Sequence, residues 1–408
     1  MQRIPGRMLH TMDGAARPES FSREDGVKRV VVVAGTRPEA IKMAPVYLAL
    51  RESRRLQPLW LSTAQHRDML DQATAAFDIV ADLDLNLMQP SQTLASISAR
   101  VLAEVSGRLA ELEPTAVLVQ GDTTTVLATA LAAFYARVPV GHVEAGLRTY
   151  DDEAPWPEEM NRRLVDPLSR WCFAPTRTAA EHLRAERIPE HRIAITGNTG
   201  IDALKRMQAK LDSAPPEAEV LARRCGVPSA FEARFLRGTS RFVLVTGHRR
   251  ESFDGGFERI CAAIATAAAE FRDLGFLYPV HLNPKVREPV RRALGAVDGV
   301  TLIEPVAYPD FVWLMSRCHL LLSDSGGVQE EAPSLGKPVL VLRDVTERPE
   351  GVEAGTCRLV GTDPQRILAE LRLLLTDAEE YRRRAALQNP YGDGSASERI
   401  REILERDL

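Results

Sequence analysis

Short apolar runs alternate along this chain with longer segments whose apolar residues recur every three or four positions. The run "VKRVVVVAG" is β-branched and continuous, the pattern of a parallel strand buried on both faces. A turn, "TRPE", and a helical segment, "AIKMAPVYLALRES", follow it. The same grammar repeats. "LQPLWLST", "TAVLVQG" and "VPVGHVEAG" read as strands. "RDMLDQATAAFD", "SQTLASISARVLAEVSGRLAEL" and "TTTVLATALAAFYAR" read as helices, and "RRLVDPLSRWCFAP" as a helix and a strand. Strands alternating with helices predict a parallel sheet covered on both faces.

A Gly-containing turn and a Pro- and charge-rich stretch place a linker near residues 198–215. The grammar restarts at "RFVLVTGHRRESFDGGFERICAAIATAAAEF" and continues through "FLYPVHLNP", "VTLIEPVAY", "FVWLMSRCHLLLSDSGG" and "KPVLVLRD". The expectation is an α/β chain of two doubly wound domains, residues 27–200 and 201–384, with a cleft between them. The charged amphipathic segment within residues 385–408 would cross back onto the first domain. Residues 1–26 are polar and carry no apolar signal core, and read as a disordered extension or a start codon placed too early.

Composition narrows the class of protein. At 408 residues the chain can build sizeable cores, and 45% hydrophobic with 26% charged residues is ordinary for a globular protein. No apolar run approaches the length of a membrane span. A formal charge of −4 argues against a broad nucleic-acid-binding face. Five scattered cysteines form no CxxC pair and fit a reducing, cytoplasmic setting. No metal-binding spacing, GxGxxG or Walker loop is present, so no metal and no redox or ATP cofactor is expected.

Polar residues cluster at strand ends, where open α/β sheets bind ligands. Arg37 and Lys42 follow the first strand; either they are solvated or they face an anion. Asp122 and Glu144 each follow a later strand. Asp122 suits a helix N-cap as well as a cleft acid, and His142 suits the core as well as the cleft. In "APWPEEMNRR" two prolines precede Glu158 and Glu159. Acids in a first helical turn answer the helix dipole, or one of them is a positioned general acid or base. Asn161, Arg162 and Arg163 follow and could orient it. In the second half, "TGHRRESF" presents His248 and Arg249 to a phosphate. "HLNPK" presents His281, Asn283 and Lys285 in the same way, and "TERPE" places Glu347, Arg348 and Glu350 on a loop. In "SDSGGVQEE", Ser325, Gly326 and Gly327 suit an anion, yet Glu330 and Glu331 follow at once.

Taken in order, "GTRPEAIKMAP", "QHRDMLDQ", "QGDTTT", "GHVEAGLRT", "PWPEEMNRR", "TGNTGIDAL", "TGHRRESF", "HLNPKVREPV", "SDSGGVQEEAPSLGKPVLVLRD" and "TERPEGVEAGT" resemble the bacterial non-hydrolysing UDP-N-acetylglucosamine 2-epimerases over roughly residues 28–385. The resemblance implies two Rossmann-like domains arranged as in the B-type glycosyltransferases, with the active site in the interdomain cleft. It implies reversible C2 epimerisation of UDP-GlcNAc to UDP-ManNAc without a cofactor, by elimination of UDP to 2-acetamidoglucal and its re-addition. It further implies a homodimer serving cell-surface polysaccharide synthesis.

By the same resemblance Asp122, Glu144, Glu158 and His248 are catalytic, with Asp122 and Glu144 moving the C2 proton and His248 acting on the diphosphate. Arg37, Lys42, Arg162, Arg249, Ser325, Gly326, Gly327 and Arg348 would bind UDP and sugar, and Glu331 the ribose hydroxyls. Gln65, Arg249 and His281 match positions that hold a second, activating nucleotide sugar. Asp68 and Ser91 replace Gln and Arg found there in several bacterial members, which implies weak or absent activation. The alternatives are a hydrolysing relative that releases ManNAc and UDP, an epimerase of a modified UDP-amino sugar, a glycosyltransferase of the same fold, and a non-catalytic binder.

Overall fold

The structure is a computed structural model that describes residues 26–63, 67–87, 92–249 and 253–408. The reading of residues 1–26 as an extension therefore lies, but for Gly26, outside the described residues, as do Gln65, Ser91, Arg250 and Glu251.

Two parallel sheets form the frame. The first contains β1 (Lys28–Ala34), β2 (Leu56–Ser62), β3 (Leu83–Asp84), β4 (Ala116–Gln120), β5 (Val140–Val143), β6 (Trp171–Ala174) and β7 (Ile193–Ile195). Its spatial order is β3-β2-β1-β4-β5-β6-β7. The second contains β8 (Phe242–Thr246), β9 (Gly275–Pro279), β10 (Val300–Ile303), β11 (Leu320–Ser323), β12 (Val339–Val341) and β13 (Cys357–Leu359). Its order is β10-β9-β8-β11-β12-β13. Each is doubly wound, with the order reversing between β1 and β4 and between β8 and β11. Valines 30–33 in β1 are fully or almost fully buried, each contributing about 1.5–3 kcal/mol through removal from water.

The edge strands β3, β7 and β13 were not expected. At two or three residues each, they are too short to show a period. The segment near 198–215, read as a linker, is corrected by a helix at Thr199–Ser213. Asn198 caps it by accepting from Gly200 N at 2.8 Å. This helix packs on the helices Arg37–Arg51, Tyr308–Arg317 and Gly326–Glu331, so it touches elements from both halves. Its Asp202 accepts from the backbone N–H groups of Ala396 (3.2 Å) and Ser397 (2.7 Å). That anchors the final helix, Ala396–Asp407, which also packs on Arg37–Arg51. Among the described residues no helix is long and apolar enough to cross a membrane, and all five cysteines are free and buried.

Candidate active site

A cleft of about 780 Å³ opens where the two reversal points face each other. It is lined by the loops after β1, β4 and β5, by the start of the helix Glu158–Leu168, and by the loops after β8, β9, β10 and β11.

On the first sheet's side, Thr36 caps the helix Arg37–Arg51 in a reciprocal box with Glu39. Glu39 is buried and accepts from Gly35 N (2.6 Å), Thr36 N (3.2 Å) and Thr123 Oγ1 (2.8 Å). It thereby ties the loop after β1 to the loop after β4. Arg37, at the first position of this helix, donates to Val306 O at 3.3 Å. The expected need for an external anion is thus partly met within the chain. Asp122 does not cap a helix; Thr123 does, accepting from Val126 N at 3.3 Å. Asp122 instead pairs with Arg162 at 2.6 Å, and its carbonyl accepts from Asn161 Nδ2 at 2.8 Å.

The two glutamates after the prolines part company. Glu159 is buried and accepts from the N–H groups of Thr149 and Tyr150, both at 3.0 Å. Glu158 is half-buried and lines the cleft. His142 does not line it; the core reading holds. Its Nδ1 lies 2.6 Å from Asp166 and its Nε2 2.8 Å from Gly121 O. Arg148 completes this buried group at 2.6 Å from Asp166.

Glu144 sits just past β5 with φ +69°, a left-handed conformation uncommon outside glycine. It pairs with Lys42. Lys42 also lies 2.9 Å from Glu330, and Glu330 accepts from Arg348 Nε at 2.5 Å. Burial pushes the Glu144 carboxyl up, the neighbouring Glu330 charge adds to this, and Lys42 offsets only part of it. For Glu330 burial acts upward too, but Arg348 and then Lys42 outweigh it and hold it at about 2. Of the two carboxyls sharing Lys42, Glu330 keeps the charge and Glu144 is the easier to protonate. Glu331 is pushed up to about 8 by burial and by Glu330, and it accepts from Tyr308 Oη at 3.1 Å.

Ser325, Gly326 and Gly327 line the cleft at the start of a six-residue helix, Gly326–Glu331. A Cβ on Gly326 would collide with the Arg348 guanidinium, 2.6 Å from Nη1. A Cβ on Gly327 would meet only ordinary contacts. His248 and Arg249 line the cleft, with His281 stacked on His248 at 5.8 Å between ring centroids. The other two residues of "HLNPK" go elsewhere. Asn283 caps the helix Pro284–Leu294, and Lys285 lies over the Phe253 ring. Glu347 accepts from Arg343 (2.6 Å) and Arg348 (2.5 Å), and Glu350 from Thr176 Oγ1 at 2.6 Å. Asp68 lies in the helix Arg67–Ala76, but its side chain, with Gln65 and Ser91, is outside the described residues.

The cleft therefore gathers Asp122, Glu144, Glu158, Arg37, Lys42 and Arg162 from one side and His248, Arg249, His281, Ser325, Gly326, Gly327, Glu331 and Arg348 from the other. Sequence reasoning assigned no role to Glu39, Glu330, Tyr308 or Asp324. Only Glu39 carried a local signal, the Thr-x-x-Glu capping box.

Residues 48–405 match the family described as UDP-N-acetylglucosamine 2-epimerase. The chain is 54% identical over 379 residues to the UDP-N-acetylglucosamine 2-epimerase of Escherichia coli K12, covering 93% of this chain and 99% of that protein. It superposes on the UDP-GlcNAc 2-epimerase of Neisseria meningitidis bound to UDP-GlcNAc with a TM-score of 0.86 and 47% identity, covering 93% and 100% of the two chains. The Methanocaldococcus jannaschii UDP-GlcNAc 2-epimerase, solved with UDP-GlcNAc and UDP, gives a TM-score of 0.77 at 32% identity, over 93% and 99%. Matched over most of its length in both sequence and fold, the chain belongs to the UDP-N-acetylglucosamine 2-epimerase family.

Proposed function

We propose that this chain interconverts UDP-N-acetylglucosamine and UDP-N-acetylmannosamine without hydrolysis, eliminating UDP to a bound 2-acetamidoglucal and adding it back. The observation that carries the reading is what the cleft gathers: Asp122, Glu144 and Glu158 stand on one wall, facing His248, Arg249, Arg348 and a glycine turn on the other. A carboxylate takes the C2 proton, the C–H electron pair becomes the C1=C2 bond, and the C1–O pair leaves on the β-phosphate oxygen of UDP. Arg37, Lys42, Arg249, Arg348 and the Ser325–Gly327 turn bind the nucleotide and its charge, and His248 faces the leaving oxygen. For return on the other face, a second carboxyl protonates C2 and the UDP oxygen rejoins C1. Inversion needs proton access to two faces. Asp122 and Glu144 supply it in this reading, with Glu158 sharing or orienting the transfer and Arg162 holding Asp122. A Glu144 carboxyl raised toward its protonated form supports a donor role. Glu331, beside Tyr308, is assigned to the ribose hydroxyls.

Proton NMR of UDP-GlcNAc with the pure protein in D2O tests this. The expected result is deuterium at C2 together with UDP-ManNAc. Accumulation of free ManNAc and UDP would move the chain to a hydrolysing reaction.

The same reading includes a cytoplasmic homodimer without a cofactor. Phe134, Tyr135 and Leu164 are exposed on the packed helices Thr124–Tyr135 and Glu158–Leu168 and offer an apolar face for a second copy. Sedimentation at micromolar concentration would show a dimer that Phe134→Glu dissociates. The weak activation implied by Asp68 and Ser91 is checked by the initial rate on UDP-ManNAc alone; a strict requirement for added UDP-GlcNAc would reject it.

A further inference from the structure

Asp324, on the loop after β11, lies beneath the loop after β8 that carries His248. The Asp324 side chain is 2% exposed and that of His248 40%. Asp324 Oδ2 accepts from the backbone N–H groups of His248 (2.7 Å) and Arg249 (2.8 Å). The loop's path needs no more than that, and one neutral oxygen would suffice. Oδ1 is buried and has no aligned hydrogen-bond donor among the described residues, but His248 Nδ1 lies at ion-pair distance from it, 3.1 Å away. Gly247 permits this approach, since a Cβ there would lie 2.9 Å from Tyr278 Oη and 3.1 Å from Phe257. An ionised carboxylate only accepts hydrogen bonds. A proton on Nδ1 would answer this orphaned oxygen and leave Nε2 on the exposed side of the ring.

We propose that Asp324 is a positioning residue for the reaction, holding His248 with Nδ1–H on the carboxylate and Nε2 turned to the cleft, so that the imidazolium, protonated on both nitrogens, meets the leaving diphosphate as an oriented donor. This rests on the reading of His248 given above. During elimination the C1–O pair goes to the β-phosphate oxygen and Nε2–H donates to it. On re-addition the oxygen returns its lone pair to C1 and the hydrogen stays with Nε2. Asp324 itself takes no proton. Among the described residues, the other charged or titratable neighbours are His281 stacked on the ring, Tyr278 behind Asp324, and Arg249 with its partner Glu347 at 3.4 Å. Backbone and imidazole donors hold the Asp324 carboxyl below its usual range, although burial opposes them. That agrees with a permanent acceptor.

The experiment combines 15N-histidine NMR of the full chain, with the His248 signal identified by its loss in His248→Asn, and kinetics of Asp324→Asn. The wild-type spectrum is expected to show His248 protonated at Nδ1 in both its charged and neutral forms. In Asp324→Asn the neutral His248 ring is expected to lose its preference for the Nδ1 proton, which the 15N shifts of the two ring nitrogens report. With that loss, kcat falls about 100-fold while KM stays within about threefold. A wild-type His248 whose neutral form lacks the Nδ1 proton overturns the proposal, and this holds even if Asp324→Asn does not fold. So does a folded Asp324→Asn whose neutral His248 keeps the Nδ1 proton as in wild type. Full turnover by His248→Asn would instead remove the role of His248 itself, and the proposal with it.

Discussion

Lys42 Nζ, on the helix after β1, lies 2.9 Å from Glu330 Oε2, on the helix after β11. One ion pair thus joins the ligand-facing edges of the two sheets, and the same ammonium serves Glu144. Replacing it by Lys42→Met leaves two buried carboxyls facing each other. Removing one partner of a buried pair costs about 3–5 kcal/mol. Chemical denaturation is expected to show a loss of that order, and Lys42→Met/Glu330→Gln should recover part of it by removing the repulsion. A single variant within about 1 kcal/mol of wild type would mean the contact carries little.

Asp122 and Glu144 stand after adjacent strands, β4 and β5, on the same wall of the cleft. Asp122→Asn and Glu144→Gln are each expected to lower epimerisation by about 100- to 10,000-fold, the usual contribution of a positioned acid or base. If they serve opposite faces of C2, one variant should still exchange the C2 hydrogen of UDP-GlcNAc with solvent deuterium and the other that of UDP-ManNAc. Equal exchange from both sugars in both variants would assign the transfer elsewhere, with Glu158 the next to replace.

Glu331 makes stability depend on pH. Its carboxyl is held at about 8 in the folded chain against an ordinary 4.5. Between those values the folded chain keeps a proton that the unfolded chain has released. The contribution is therefore complete below pH 4.5 and is lost as pH rises through 8, at up to about 1.4 kcal/mol per pH unit. Glu331→Gln cannot titrate. The difference in unfolding free energy between the two proteins should change with pH over this window, wild type losing more. A parallel pair of curves would place Glu331 at an ordinary carboxylate value.

Gly326 is small because Arg348 needs the space. Gly326→Ala drives a methyl group into the guanidinium and should displace it from Glu330 and from the bound nucleotide. The expected outcome is a rise of about tenfold or more in KM for UDP-GlcNAc and in the Kd for UDP by calorimetry, for loss of a charge-assisted contact. Gly327→Ala, which meets only ordinary contacts within the chain, serves as the control for folding and should match wild type in chemical denaturation.

Much of the frame is legible in the sequence alone. β1 announces itself through four consecutive valines, whereas Thr36 and Glu39, which cap the helix Arg37–Arg51, read as part of a turn. These signals are local, because burial on both faces and capping act within a few residues. The candidate site was legible in its strand-end positions, where Asp122, Glu144, His248 and the Ser325–Gly327 turn stand and now line one cleft. The helix Thr199–Ser213 was not, since the glycine and polar residues at its start resemble a turn when read alone.

What the sequence by itself determined is the order of strands and helices, the strand ends at which chemistry collects, and the family these motifs resemble. Only the tertiary structure decided the partners. It made Asp122 the ion-pair partner of Arg162 rather than a cap, sent His142 into the core, and separated Glu158 from Glu159. It also brought Glu330 to Lys42 and Asp324 to His248, pairs separated by hundreds or tens of residues. The physical reason is range. Propensity and capping act between near neighbours, whereas the charge, exposure and protonation of a buried side chain depend on whatever the folded chain packs against it.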